Sequence, residues 1–139
     1  MAHWLFKSEP EAWSWADQVA RGPGGEPWDG VRSHQAANNM RRMRVGERGF
    51  FYHSQTERAV VGVVEVAEEA APDPTDDTGR WDCVRVRAVE PLRRPVTLAE
   101  IKARPELAGM ALVRQSRLSV MEVSEAEWRL LRAMGGLDG

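Results

Sequence analysis

At 139 residues, with one cysteine, three histidines and a formal net charge of −2, the chain is sized for a single domain, residues 1–139, that closes one core without disulfides. The lone Cys83 excludes an intrachain disulfide and fits a reducing, cytoplasmic setting, while the near-neutral charge excludes a polyanion binder driven by bulk electrostatics. His3, His34 and His53 are widely spaced and no CxxC or HxxxH pattern occurs, so no metal or other cofactor is expected.

The opening MAHWLFKSEP is interrupted by Lys7 and Glu9 too early for a signal peptide, and no later apolar run has membrane-spanning length. A soluble protein with no membrane partner is expected. Residues 3–7 (HWLFK) read as a strand, and Ser14 with Asp17 three positions on reads as the cap of a helix closed by Gly22. Gly22 to Pro27 is a loop. Ser33 can cap a second helix that places Ala36, Met40 and Met43 on one side, with Gln35, Asn38, Asn39 and Arg42 elsewhere, ending near Gly46.

FFYHS (50–54) and AVVGVVEV (59–66) are strand-like and joined by the polar QTER, which predicts a hairpin; the acid-rich, proline-containing residues 67–80 read as a loop. CVRVRAV (83–89) alternates cleanly and is a half-buried strand that Pro91 and Pro95 are expected to break. Thr97 with Glu100 makes a capping box for a short helix stopped by Pro105. LSVMEV (118–123) is a further strand, and Ser124 with Glu127 opens a terminal helix whose Trp128, Leu131 and Met134 form an apolar stripe. Without βαβ alternation, these elements predict an α+β domain, a small curved sheet or barrel decorated by short helices.

Catalytic patterns are sparse. GPGGEP lacks the Lys and Ser/Thr of a phosphate-binding loop, and Cys83 sits in an alternating strand as a small buried residue. His53 and Ser54 are adjacent on a strand, so their side chains point to opposite faces and do not meet as base and nucleophile. Binding residues are denser. Six tryptophans suit stacking on a planar heterocycle, although Trp4 and Trp128 read as core. Trp28 follows a Gly/Pro loop and precedes the Asp29-Gly30 turn signal, which sets its ring at the lip of a loop. Charge is segregated: five arginines lie between Arg32 and Arg48 against Glu47 alone, while Glu65 to Asp77 holds only acids. That nearly all basic residues are Arg fits either a GC-rich bacterial genome or a need for bidentate donors.

WLFKSEP at 4–10, WDGVR at 28–32 with QAANN at 35–39, FFYHS at 50–54, VGVVEV at 61–66, PDPT at 72–75 and ALVRQSRLSV at 111–120 resemble, in order and spacing, the successive blocks of the EVE domain family. The resemblance covers nearly the whole chain. It implies a PUA-like fold related to the YTH and ASCH domains, and a pocket for a modified base, with modified cytosine in DNA favoured and modified adenine in RNA the analogue. It implies no catalytic activity. Carried over by motif, the pocket candidates are Lys7 and Ser8, Trp28 and Arg32, Gln35 and Asn38, Tyr52, His53 and Ser54, and Arg114, Gln115 and Ser116.

A base taken out of its stack loses a few kcal/mol, which an aromatic face and matched polar groups must offset. Trp28 would supply the face, and Asn38, Gln35 or Ser116 partners that both donate and accept. Arg32 and Arg114, with Arg85 and Arg87, would meet flanking phosphates. The expected partner is therefore a nucleic acid carrying a modified base, bound by a monomer. Against this stand structural roles: Asp29 pairing with Arg32 to pin a loop, Asn38 or Asn39 satisfying buried backbone, and Arg85 and Arg87 lying on an exposed sheet face. An enzyme acting on nucleotides or RNA through His53 or Lys7, and a small-molecule or protein adaptor, are the alternative classes. The chain departs from the family in carrying Ser33 and His34 after WDGVR, where an Asn and an aromatic are usual.

Overall fold

The computed structural model describes residues 1–137. In chain order the elements are β1 (His3–Ser8), α1 (Trp15–Ala20), β2 (Glu26–Pro27), α2 (His34–Arg41), β3 (Arg48–His53), β4 (Ala59–Pro72), β5 (Asp82–Thr97), α3 (Leu98–Lys102), α4 (Ala111–Arg114), β6 (Val120–Val123) and α5 (Glu125–Met134), with short 3₁₀ turns at Gly22–Gly24 and Pro105–Leu107. The strands form one mixed sheet in the order β2-β5-β4-β3-β1-β6, an α+β architecture. Only β1 and β3 pair in parallel among these neighbours, with Lys7 opposite Tyr52 and Ser8 opposite His53.

Burial explains the central position of β1 and β3. Trp4, Leu5 and Phe6 are consecutively buried, as are Phe50, Phe51 and Tyr52, so both faces of these strands are covered. Each large apolar side chain withdrawn from water in this way contributes about 1.5–3 kcal/mol. The helices start where their caps place them. Ser14–Asp17, Thr97–Glu100 and Ser124–Glu127 form reciprocal capping boxes, and Ser33 Oγ accepts from the Ala36 N–H at 3.4 Å. The stripe of α5 buries Trp128 and Leu131, with Trp128 stacked on His3 at 4.3 Å.

The structure corrects two expectations about strands. Residues from 67 onward do not begin a loop: β4 continues to Pro72 because β5 supplies partners, Glu68 facing Arg85 and Ala71 facing Cys83. Nor do Pro91 and Pro95 end β5. Pro91 lies opposite Gly62, where the register shifts, and such bulges tolerate a residue without an N–H. Gly62 is also where the Trp15 ring lies against the sheet: a Cβ there would stand 2.5 Å from the indole. Two smaller differences concern α2, which ends at Arg41 and gives way to turns before Gly46, and the Gly22–Pro27 loop, whose last two residues pair with Val86 and Arg85 as β2. Glu65 of β4 gathers Arg48 of β3 at 3.2 Å and Arg87 of β5 at 3.1 Å, which ties three neighbouring strands by charge.

Candidate functional site

The WDGVR segment leaves β2 and is held from both ends. The Trp28 N–H donates to the Val84 carbonyl at 2.8 Å, and the indole packs edge-on against Phe6 and Phe51 at 5.2 and 5.6 Å, leaving 8% of the residue exposed. Gly30 turns the chain with φ +79°, a conformation that favours glycine. Its N–H donates at 2.9 Å to Asp73, a carboxylate only 2% exposed that also accepts from Arg32 Nη1 at 3.1 Å and from the Thr75 N–H at 2.7 Å and hydroxyl at 2.6 Å. Burial alone would raise this carboxyl, but the Thr75, Gly30 and Arg32 donors outweigh it and hold Asp73 below the usual carboxylate range. Arg32 also donates to Thr75 Oγ1 at 3.1 Å and lies over the Trp81 ring at 5.7 Å.

The opposite wall comes from the end of β1 and the segment after it. Ser8 Oγ donates to the Trp13 carbonyl, and Trp13 Nε1 donates at 3.0 Å to Gln18, which is fully buried and in turn donates to the Val86 carbonyl at 3.0 Å. This chain of bonds fixes the Trp13 ring. Lys7 Nζ donates to the Ser116 carbonyl at 2.8 Å, and burial lowers its pKa. Between the walls lies a cavity of about 530 Å³, within the size range of small-ligand sites. Asp29 lines it with no ion pair within 4.0 Å among the described residues, and burial, with Asp73 and Glu26 adding repulsion, outweighs the attraction of Arg32 and its own backbone N–H and pushes its carboxyl above the ordinary value. The cavity therefore offers aromatic surface, carboxylate acceptors and the Lys7 side chain as a donor.

Of the residues expected from sequence, Lys7, Ser8, Trp28 and Arg32 line this cavity together. Gln35, Arg114, Gln115 and Ser116 line a second hollow of about 400 Å³ with Ser33, Arg117 and Leu118. The others are placed elsewhere. Asn38 accepts from Arg41 on the exposed side of α2, while its neighbour Asn39 is the buried one, donating to the Val120 carbonyl at 2.8 Å. Tyr52 is buried beneath Lys7, 6.0 Å from its ammonium. His53 Nε2 accepts from the Trp15 N–H at 3.0 Å and its Nδ1 contacts Glu57 at 2.7 Å, and the Ser54 N–H donates to the Ser8 carbonyl. Arg85 and Arg87 face not the cavity but the acids of β4, Glu68 at 3.2 Å and Glu65 at 3.1 Å.

Trp13 and Asp29 line the cavity without having been singled out for it. Trp13 lies between KSEP and the Ser14 cap, a position that tethers it to the β1 wall. Asp29 reads from sequence as the partner of Arg32, but Arg32 makes its ion pair with Asp73, forty-one positions away. His34 stacks on Trp81 at 4.9 Å, apart from both cavity linings.

A family model described as EVE domain matches residues 2–134. Human thymocyte nuclear protein 1 is 33% identical over 159 residues, covering 91% of this chain and 71% of its own length. A crystal structure of a protein from Agrobacterium tumefaciens superposes with a TM-score of 0.97 at 50% identity, covering 99% of this chain and 94% of that one. The structure of the human protein in complex with 5-methylcytosine-containing DNA superposes with a TM-score of 0.90 at 30% identity, each chain covered completely. The MmI1 YTH domain, at 14% identity and a TM-score of 0.61 over 96% of this chain and 94% of that one, shares the fold.

Proposed function

The chain belongs to the EVE domain family, and on that premise we propose that it is a non-catalytic nucleic-acid-binding domain that takes up a flipped, modified base, modified cytosine in DNA being favoured. The observation that carries this reading is the cavity between Trp28 and Trp13, lined by both Asp29 and Lys7. A cytosine edge presents an N4 amino donor and acceptors at N3 and O2. Asp29 accepts from the amino group and Lys7 donates to a ring acceptor, a pairing that thymine, with a carbonyl at C4, does not satisfy. Stacking on an indole contributes about 1–3 kcal/mol per base, enough to offset much of the unstacking cost. The cavity is preorganised for this, since Phe6, Phe51 and the Trp13–Gln18–Val86 bonds fix both rings before any ligand arrives.

Human thymocyte nuclear protein 1 bound to 5-methylcytosine DNA supports the ligand class. A catalytic reading through His53 has less support, because both ring nitrogens are engaged by Trp15 and Glu57. The test is anisotropy titration with single-site oligonucleotides carrying 5-methylcytosine, cytosine or thymine, as DNA and as RNA. Tighter binding of the 5-methylcytosine DNA, reduced by Trp13→Ala and by Asp29→Ala, is expected. Equal affinity for all the oligonucleotides would overturn the proposal.

A further inference from the structure

We infer that the second hollow, beside the base cavity, is a phosphate subsite in which Arg114 and Arg117 hold the phosphodiester backbone next to the flipped nucleotide. This rests on the base-pocket reading above and says where the strand runs. The argument starts from which cations are already neutralised. Arg32, Arg41, Arg42, Arg44, Arg48, Arg85 and Arg87 each have a carboxylate within 4.0 Å, so the basic run from Arg32 to Arg48 and the ladder arginines of β5 are internally matched. Arg114 and Arg117 have no carboxylate partner among the described residues, and both line the hollow.

The hollow is lined by Ser33, Gln35, Gln115, Ser116 and Leu118 besides the two arginines, with no acid among them. The base cavity, by contrast, is lined by Glu9, Glu26 and Asp29. The two hollows therefore divide by chemistry: one receives donors of a base edge, the other an anion. They also share a wall. Lys7 lines the base cavity while its ammonium reaches the carbonyl of Ser116 in the hollow, and the adjacent pairs Arg32–Ser33 and Leu118–Ser119 pass from one lining to the other. Two guanidinium groups with hydroxyl and amide donors around an acid-free recess fit a phosphodiester, which accepts bidentate pairs.

The test uses the full chain, Arg114→Gln/Arg117→Gln, and as a charge-matched control Arg94→Gln/Lys102→Gln, two other cations with no carboxylate within 4.0 Å among the described residues, lying outside both hollows. All four positions are exposed, and unchanged melting curves would show that each variant folds. The probes are single-stranded DNA carrying one 5-methylcytosine, the same DNA unmodified, and free 5-methyl-2′-deoxycytidine. Two lost phosphate contacts reduce the slope of log affinity against log salt by about 1.4, which is roughly a 25-fold weakening at 0.1 M relative to 1 M salt. That loss is expected for both oligonucleotides equally, with the methyl preference and nucleoside binding unchanged and the control variant close to wild type. An unaltered salt slope, an equal loss in the control, or a matching loss of nucleoside affinity would overturn the subsite. If the wild type fails to separate modified from plain DNA while the salt-slope loss persists, the base reading falls and the phosphate site stands.

Discussion

Asp73→Asn tests the clamp that shapes the cavity while keeping side-chain volume nearly constant. The carboxylate accepts four hydrogen bonds, from the Gly30 N–H, Arg32 Nη1, and the N–H and hydroxyl of Thr75. The amide that replaces it keeps one oxygen, which can continue to serve Thr75. Its NH₂ then faces the Gly30 N–H and the Arg32 guanidinium, donor against donor. Hydrogen bonds to a charged group contribute about 1.5–3 kcal/mol each. The Arg32 share is discounted, because that side chain is 39% exposed and water takes over as its partner. The expected cost is about 2–4 kcal/mol, or a melting temperature lower by roughly 10 °C for a domain of this size. The effect depends on pH with a definite sign. Asp73 has a depressed folded-state pKa, so its contribution is present above the unfolded carboxylate pKa of about 3.9 and disappears as pH falls through the lower folded value. Urea melts at pH 7 and at stepped acid pH measure this: wild type and variant converge on acidification. A pH 7 difference under 1 kcal/mol, or one that persists below the acid transition, would refute the clamp.

Gly62→Ala is expected to destabilise by about 1–3 kcal/mol, since its new methyl meets the Trp15 ring at 2.5 Å; adding Trp15→Leu restores part of the loss, and chemical denaturation of the single and double variants checks the coupling. Trp28→Ala removes an indole wedged between Phe6 and Phe51 and costs about 3–5 kcal/mol, so it reports on folding before binding, whereas the half-buried Trp13→Ala weakens oligonucleotide affinity with a smaller shift in melting temperature. Cys83 is 5% exposed and its thiol is pushed up to about 11, so the native protein reacts slowly with Ellman's reagent at pH 8 and rapidly once unfolded in urea.

Local signals carried much of the architecture. The capping boxes at Ser14, Thr97 and Ser124 lie where spacing predicts them, because a cap is decided within one turn of helix. The limits of β4 and β5 were not legible, because they depend on a partner strand: residues 67–72 look like loop until β5 pairs with them, and Pro91 is admissible only where the ladder already slips. The parallel pairing of β1 with β3 likewise has no local signature. At the site, WDGVR and KSEP could be read as pocket residues, but their neighbours could not. Asp73 reaches Arg32 across forty-one positions, and one step of helical phase exchanges Asn38, on the outside, for Asn39, which clamps α2 to β6. Alternation places Arg85 and Arg87 on one strand face, yet only the register of β4 reveals the glutamates opposite.

The glutamate that gathers Arg48 and Arg87, together with the acids facing Arg85, Arg41 and Arg32, has a kinetic corollary. Guanidinium groups matched at contact distance cast almost no potential beyond the roughly 8 Å over which physiological salt screens. Any long-range pull on a polyanion is therefore left to cations that have no carboxylate within 4.0 Å among the described residues, Arg114 and Arg117 among them, while the matched arginines act only at contact range.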